Sequence, residues 1–489
     1  MSTHLRFLRD DATGIVVDLQ RVPARADLSF GPALAAMTAM ESGAAVNVTE
    51  QRRVGHYWLR SPQRAPSAEI TDAIMASWTA IESVNATGLN TILLVGIGGS
   101  ALGPALAIEA LGAPSGRRLV LLDTVDPEGV KAILATVDPA DTLVIVASKS
   151  GSTTETMTAM RLVEAEYAAA SVPFEAHAVA VTTPGSRLAE LAKNWRAVLP
   201  IWSWVGGRTS ITSAVGLLPM HLCGLDIRAF LAGASAMDEW TRQAPESNPA
   251  AQLAALWATD EVHTAALFPY VDALRSLGRY TQQLVMESIG KEVNRQGEVV
   301  RTGLTVLGNK GSADQHALIQ QLRDGPLGVA CHFVSVEATP QPTALLDEAA
   351  DLQFALMTGT QRALADVGQP VVSISLPTMN ESALGAVIAL LERTVSLTAE
   401  FLDINAYDQP GVEAGKIEAR TQLATIMLIE SELSEIPVTA HELASRIGLE
   451  AATVWRICHH LSGQNRATLT PAKSASDDRF CAAQTTTDR

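Results

Sequence analysis

The chain has 489 residues, length for two or three domains, and its 47% hydrophobic and 18% charged residues are the balance of a water-soluble globular protein. A formal charge of -16 argues against a nucleic-acid or anionic-membrane partner, because both surfaces are themselves negative, and any anionic substrate must be met by local groups. The four cysteines, Cys223, Cys331, Cys458 and Cys481, are far apart and form no CxxC pair, which fits packing thiols in a reducing compartment; with no apolar run behind Arg6, Arg9, Asp10 and Asp11, a cytoplasmic protein is expected.

Residues 1–85 read as a helical N-terminal arm packed on the first domain, with Arg52, Arg53 and His56 beside Tyr57 and Trp58. From 91 onward strands near 91–97, 119–122, 143–147 and 177–182 alternate with helices near 102–111, 128–134, 154–169 and 186–194. Such alternation predicts a doubly wound parallel sheet, placed here at 86–240, with ligands beyond the carboxyl ends of its strands. The charge-free run 83–108 has the length of a membrane span, but Gly96, Gly98, Gly99, Gly103 and Pro104 break it, and it reads as a strand followed by a glycine loop. A Trp-, Gly- and Ser/Thr-rich connection leads to Asn248 and Pro249, which mark a seam. A second alternating region, 245–433, has strands near 266–271, 328–336 and 370–374, helices near 279–293 and 314–323, and long helical runs at 383–402 and 412–433. The fold class is therefore α/β, with two parallel-sheet domains and a small helical extension at 434–489. In that extension Ala444, Gly448, Val454 and Ile457 stand at helix-turn-helix spacing, but Arg456 faces Glu450 and no basic face results, so a small helical cap is expected and no nucleic acid. Beyond Gly463 the Thr, Ser, Ala and Asp content reads as disorder.

The stretch LVIVASKSGSTTET at 143–156 carries the strongest chemistry. An apolar strand ends in Ser148, Ser150, Ser152, Thr153 and Thr154 where a helix begins, and the free N–H groups and positive dipole end of a helix favour a bound dianion. Lys149 is the loop's only cation, which suits a phosphomonoester, and no Walker GxxxxGK[ST] pattern is present. The alternative is that Ser152 or Thr153 merely caps the helix, with Glu155 in its first turn. Gln283 and Glu287 are four residues apart and share a helix face; Glu287 and Lys291 share the same spacing and offer the plainer alternative of a surface ion pair. No HExxH or Asp/His ligand spacing occurs, so neither a metal nor a cofactor is implied.

Several motifs together resemble the phosphoglucose isomerase family, with its two sugar-isomerase (SIS) domains. They are GIGGSALGP at 96–104, SKSGSTTET at 148–156, GGRTS at 206–210, QLVMESIGK at 283–291, DQHALIQQLRDG at 314–325 and YDQPGVEAGK at 407–416, in the family's order. The resemblance implies that Ser148, Ser150, Thr153 and Gln283 hold a phosphate, with Lys149 and Ser100 close by and Gly99 passing the sugar. It places Arg208, Glu287, His316, Gln409 and Lys416 in catalytic and substrate-binding positions. The implied reaction is the interconversion of D-glucose 6-phosphate and D-fructose 6-phosphate through an enediol. Ring opening suits an imidazole, His316, with Lys416 setting the charge around it; the carbon-bound proton suits the Glu287 carboxylate, and the enediolate the Arg208 guanidinium. A sugar-phosphate substrate and a homodimer in which His316 reaches the neighbour's site are also implied, and the tail resembles the C-terminal extension of a cyanobacterial-type branch. A sugar-phosphate-sensing regulator is the alternative; it needs the phosphate loop but not a base, a ring-opening histidine and a stabilising arginine together.

Overall fold

The computed structural model describes residues 7–22, 28–44, 46–338 and 343–483, and the chain divides into two units, Met1–Asp408 and Gln409–Arg489. The larger unit begins with two short strands, β1 (Phe7–Arg9) and β2 (Val16–Arg21). Ile15, Val17 and Leu19 alternate into the core and are fully buried. This period of two, spread over only five positions, is the signal that the expectation of a purely helical arm overlooked. The arm also divides between two sheets. β2 pairs antiparallel with a strand of the second sheet, while the helix α1 (Ala68–Ser83) packs on the first domain.

The first sheet is wholly parallel, with β3 (Thr91–Val95), β4 (Arg118–Leu122), β5 (Thr142–Ala147), β6 (Ala178–Thr182) and β7 (Ala197–Pro200) in the order β4-β3-β5-β6-β7. Every residue of β3, β5 and β6 is buried, as a sheet covered on both faces requires. The strand β7, four residues ending in proline at an edge, was too short to read from pattern. Chain order reverses between β3 and β5, so the crevice at their carboxyl ends is the sheet's switch point, where such folds take ligands. The helices α2 (Leu102–Leu111) and α3 (Thr154–Ala169) start from the two loops that border it.

A second sheet repeats the plan. Its strands are β8 (Thr264–Pro269), β11 (Thr305–Gly308), β12 (Val329–Val336) and β13 (Val371–Leu376), all parallel, with β1 and β2 added antiparallel at one end in the order β1-β2-β13-β12-β8-β11. The hairpin formed by β9 (Lys291–Val293) and β10 (Val299–Thr302) stands outside it. The order β11-β8-β12-β13 matches β4-β3-β5-β6, the same winding in both sheets. Helices α4 (Ala214–Leu222), α5 (Ile227–Trp240), α6 (Pro249–Trp257), α7 (Leu277–Ile289), α8 (Gln315–Asp324), α9 (Ala344–Ala365) and α10 (Glu381–Phe401) also belong to this unit, with further helices at Phe30–Glu41, Pro127–Leu134, Phe174–His177 and Arg187–Leu191.

Among the described residues α10 alone is long and apolar enough to cross a membrane, yet 94% of its apolar window is buried, so it is a core helix. It carries charge into that core in pairs. Arg60 of the arm grips Asp238 of α5 at 2.7 and 2.9 Å and reaches Glu392 of α10, while Arg393 and Arg242 both engage Glu41. Burial pushes the Glu392 carboxyl up to about 7 although Arg60 opposes the shift. Removing one partner of such a buried set leaves the others uncompensated, which is costly.

The smaller unit contains α11 (Pro410–Glu432), then α12 (Ala440–Ile447) and α13 (Ala451–Gly463) with a three-stranded antiparallel sheet, β14 (Val438–Thr439), β15 (Ala467–Thr470) and β16 (Arg479–Ala482). Thr439 and Glu442 form a capping box, and Gly448 ends α12 in the left-handed conformation, so the helix-turn-helix spacing is realised. The disorder expected beyond Gly463 is overturned. Phe480 on β16 is fully buried with Ala467, Leu461 and Val454, and one aromatic suffices to anchor a strand whose composition is otherwise polar. Residues 484–489 lie outside those described.

Candidate active site

β3 and β5 are hydrogen-bonded neighbours with Val95 level with Val146, so their loops leave the sheet side by side. At the second, Thr153 is the N-cap of α3 but its side chain caps nothing. The capping alternative is thereby excluded for Thr153, and the first-turn N–H groups keep their capacity to meet an anion. The loop's hydroxyls are ordered by one another. Ser148 Oγ accepts from the Gly151 N–H at 3.2 Å and donates to Thr153 Oγ1 at 3.4 Å, and Ser150 Oγ and Ser152 Oγ are 2.7 Å apart. The Lys149 Nζ is instead engaged by the carbonyls of Ser203 and Val205, to which it donates at 2.8 Å each. Burial, with Arg52 nearby, brings its pKa down to about 8.

The first loop explains its own glycines. A Cβ on Gly99 would lie 2.0 Å from the carbonyl oxygen of Gly207, so only glycine lets this loop pack on the GGR turn, and Ser210 Oγ donates to the Gly99 carbonyl at 3.2 Å. A Cβ on Gly98 would lie 2.9 Å from the Gln283 amide, which places the α7 side chain directly over the loop that also holds Ser100.

On α7 the spacing of four does what the sequence implied. Gln283 Nε2 donates to Glu287 Oε1 at 3.2 Å, and Arg208 Nη1 donates to Glu287 Oε2 at 3.3 Å. The Glu287 side chain is 26% exposed and the Arg208 side chain 5%, so a carboxylate open to a ligand leans on a guanidinium out of water. Arg208 also donates to Ser288 Oγ (2.7 Å) and to the carbonyls of Ala406 (2.5 Å) and Asp408 (2.9 Å). Burial lowers its pKa from the ordinary value and Glu287 opposes the change. The first loop, the GGR turn, Gln283, Glu287 and Arg208 are thus in continuous contact in the larger unit, beside the strand end from which the 148–153 loop leaves.

The surface ion pair suggested for Glu287 and Lys291 is not formed. Lys291 is buried, its Nζ donating to the main-chain carbonyls of Glu287 (2.9 Å) and Asp408 (2.8 Å) and pairing with the Asp408 carboxylate at 3.1 Å. Ser288 and Asp408 were passed over in the sequence and Lys291 was read only as a surface partner; their signal was membership of the same two motifs as Glu287 and Gln409. His316 is not brought to Glu287. It is exposed in the first turn of α8, and its imidazole makes no hydrogen bond among the described residues. Gln409 and Lys416 belong to the smaller unit, Gln409 as the N-cap of α11 and Lys416 paired with Glu413 at 2.6 Å. Among the described residues no group of three or more His, Cys, Asp or Glu could hold a metal ion.

A doubled parallel α/β fold, with a hydroxyl-lined helix start at the switch point of its first sheet and a buried guanidinium paired to a carboxylate on α7, is of the class that takes small-molecule ligands at such a point. The pattern of the family described as phosphoglucose isomerase matches residues 32–435. Glucose-6-phosphate isomerase of Synechococcus sp. (strain JA-3-3Ab) is 43% identical over 93% of this chain and 92% of its own length; that of Geobacter sulfurreducens is 41% identical over 94% and 93%. A hypothetical protein from Thermus thermophilus superposes with a TM-score of 0.67 at 32% identity, over 84% of this chain and all (100%) of that one. The Chlamydia trachomatis glucose-6-phosphate isomerase, 24% identical, shares the fold with a TM-score of 0.78 over 86% of this chain and 90% of that one. The chain belongs to the phosphoglucose isomerase family.

Proposed function

We propose that Glu287 and Arg208 carry the proton transfer by which this member of the family interconverts D-glucose 6-phosphate and D-fructose 6-phosphate. The observation that supports the assignment is the position of Glu287, one carboxylate oxygen held by Gln283 over the glycine loop and the other by Arg208. The phosphate dianion would lie on the hydroxyls of Ser148, Ser150 and Thr153 and the uncapped N–H groups of α3, with Ser100 and Gln283 alongside and Lys149 adding charge from behind. Glu287 then takes the proton from one of C1 and C2 and returns it to the other. The enediolate between these steps carries negative charge, and a preorganised guanidinium in a site shielded from water stabilises it without reorganising.

Ring opening falls to His316; the family resemblance assigns Lys416 to the charge around it and Gln409 to substrate binding. The exposure of His316, whose imidazole makes no hydrogen bond among the described residues, supports a homodimer in which each site takes His316 of the partner subunit. One face of α9 supports the same reading, since Leu345, Leu352 and Leu356, spaced seven and four residues apart, are 80%, 60% and 39% exposed, and a stripe of large apolar side chains left in water marks protein contact. The four free cysteines support a cytoplasmic setting. The test is turnover of fructose 6-phosphate, read by coupling the product to an NADP-linked dehydrogenase. Absence of turnover in the pure protein refutes the proposal.

A further inference from the structure

An electrostatic stabiliser is only as effective as its aim, and the carbonyls that aim Arg208 belong to residues 404–408, a turn with no regular structure of its own. That turn is gripped from outside by the N-terminal arm. Asn47, fully buried, donates from Nδ2 to the Tyr407 carbonyl at 3.0 Å and accepts at Oδ1 from Asn405 Nδ2 at 3.0 Å. Thr49 Oγ1 donates to Asp408 Oδ2 at 2.7 Å and accepts from Asn405 Nδ2 at 3.0 Å. Arg52 Nη2 donates to the Tyr407 carbonyl at 2.9 Å, and its Nη1 reaches the Ser203 carbonyl at 3.1 Å, the same oxygen that Lys149 uses. From inside, the Asp408 carboxylate pairs with Lys291, and Lys291 and Arg208 share the Asp408 main-chain oxygen.

We propose that Asn47, Thr49 and Arg52 of the N-terminal arm, with Lys291, are positioning residues for Arg208: they clamp the 404–408 turn so that its carbonyls hold the guanidinium against Glu287. The inference rests on the reading of Arg208 as the enediolate stabiliser. The geometry favours it over simple anchoring of the arm, because the side-chain bonds of Asn47 and Thr49 and one of Arg52 gather on Asn405, Tyr407 and Asp408, in the same turn whose Ala406 and Asp408 carbonyls accept from Arg208. An apolar contact would anchor the arm as well, but only directional bonds fix where a carbonyl points.

Thr49→Val keeps the shape and removes the hydroxyl, Thr49→Ser restores it, and Arg52→Met keeps the stem without the fork. We expect Thr49→Val and Arg52→Met each to lower kcat roughly 10-fold, with KM for fructose 6-phosphate within about twofold, since a small misalignment of a catalytic group costs rate more than binding. Thr49→Ser should stay near wild type. Thr49→Val placed on Arg208→Lys should add little to the loss from Arg208→Lys alone, because both act through one guanidinium. A merely structural role predicts a lower melting temperature, unchanged kcat per folded site and losses that multiply independently, and that pattern overturns the clamp. Should Thr49→Val fail to fold, Arg52→Met decides alone, read against the same Arg208→Lys background. If Arg208→Lys retains full kcat, the reading of Arg208 fails; if Arg208→Lys is slow and both arm variants are as fast as wild type, only the clamp is lost.

Discussion

Replacing Glu287 by Gln tests the chemistry with the least disturbance of shape. The amide can still accept the bond from Gln283 or from Arg208, but not both, and it cannot take a proton from carbon. One charge-assisted hydrogen bond is worth about 1.5–3 kcal/mol when well shielded. At 26% exposure and 3.3 Å the contact with Arg208 is at the weak end, about 1–2 kcal/mol, and Arg208 keeps Ser288, Ala406 and Asp408 as partners. A domain stable by about 5–15 kcal/mol remains folded after such a loss. Removing a general base costs about 10²–10⁴ in rate, or roughly 3–5 kcal/mol of barrier, well beyond what the lost stability explains. The assay is isomerisation in D2O, with deuterium entering C2 of glucose 6-phosphate or C1 of fructose 6-phosphate followed by NMR beside turnover. Turnover and exchange should fall together by at least about 10²-fold with the protein still folded. Exchange at the wild-type rate in Glu287→Gln would mean that another group moves the proton, and the assignment would be refuted.

Gly99→Ala should cost at least about tenfold in kcat/KM, because its Cβ would meet the Gly207 carbonyl at 2.0 Å and one of the two loops must shift; a crystal structure of the variant would show the displacement. Lys149, with a pKa of about 8, is cationic below that pH and loses its charge as pH rises through it, so binding of a non-isomerisable hexitol 6-phosphate should weaken above about pH 8. In Lys149→Met this step should vanish while affinity at pH 7 falls; an unchanged profile would show that Lys149 plays no part in meeting the anion. Mixing and refolding inactive His316→Ala and Glu287→Gln should restore up to about a quarter of wild-type activity, since half the dimers are mixed and each mixed dimer has one intact site. No recovery would place His316 and Glu287 in the same subunit's site.

Strands buried on both faces were legible because their apolar runs are unbroken, as in 143–147, and the switch-point loops because their glycines and hydroxyls follow such runs directly. The pairing of Gln283 with Glu287 was legible for a related reason, since a helix turn is local and four residues always bring side chains to one face. The buried lysine was not. The same spacing that suggested a surface pair for Glu287 and Lys291 cannot say that the helix stops before Lys291, which opens β9 beneath a turn more than a hundred residues further on. Nor could composition reveal that Phe480 closes a core in a tail otherwise rich in Thr, Ser and Asp.

By itself the sequence determined the α/β class, the places of the central buried strands along the chain and the hydroxyl-rich loop that follows one of them, because each depends on neighbours within a few positions. Only the tertiary structure decided that β3 and β5 lie side by side, that an arm from the first fifty residues grips a turn near residue 408, and that Arg208 meets Glu287. These contacts join segments separated by tens to hundreds of residues, and they form when burial of the apolar faces brings the sheets and helices together. No local pattern of side chains records which distant carbonyl a buried guanidinium will meet.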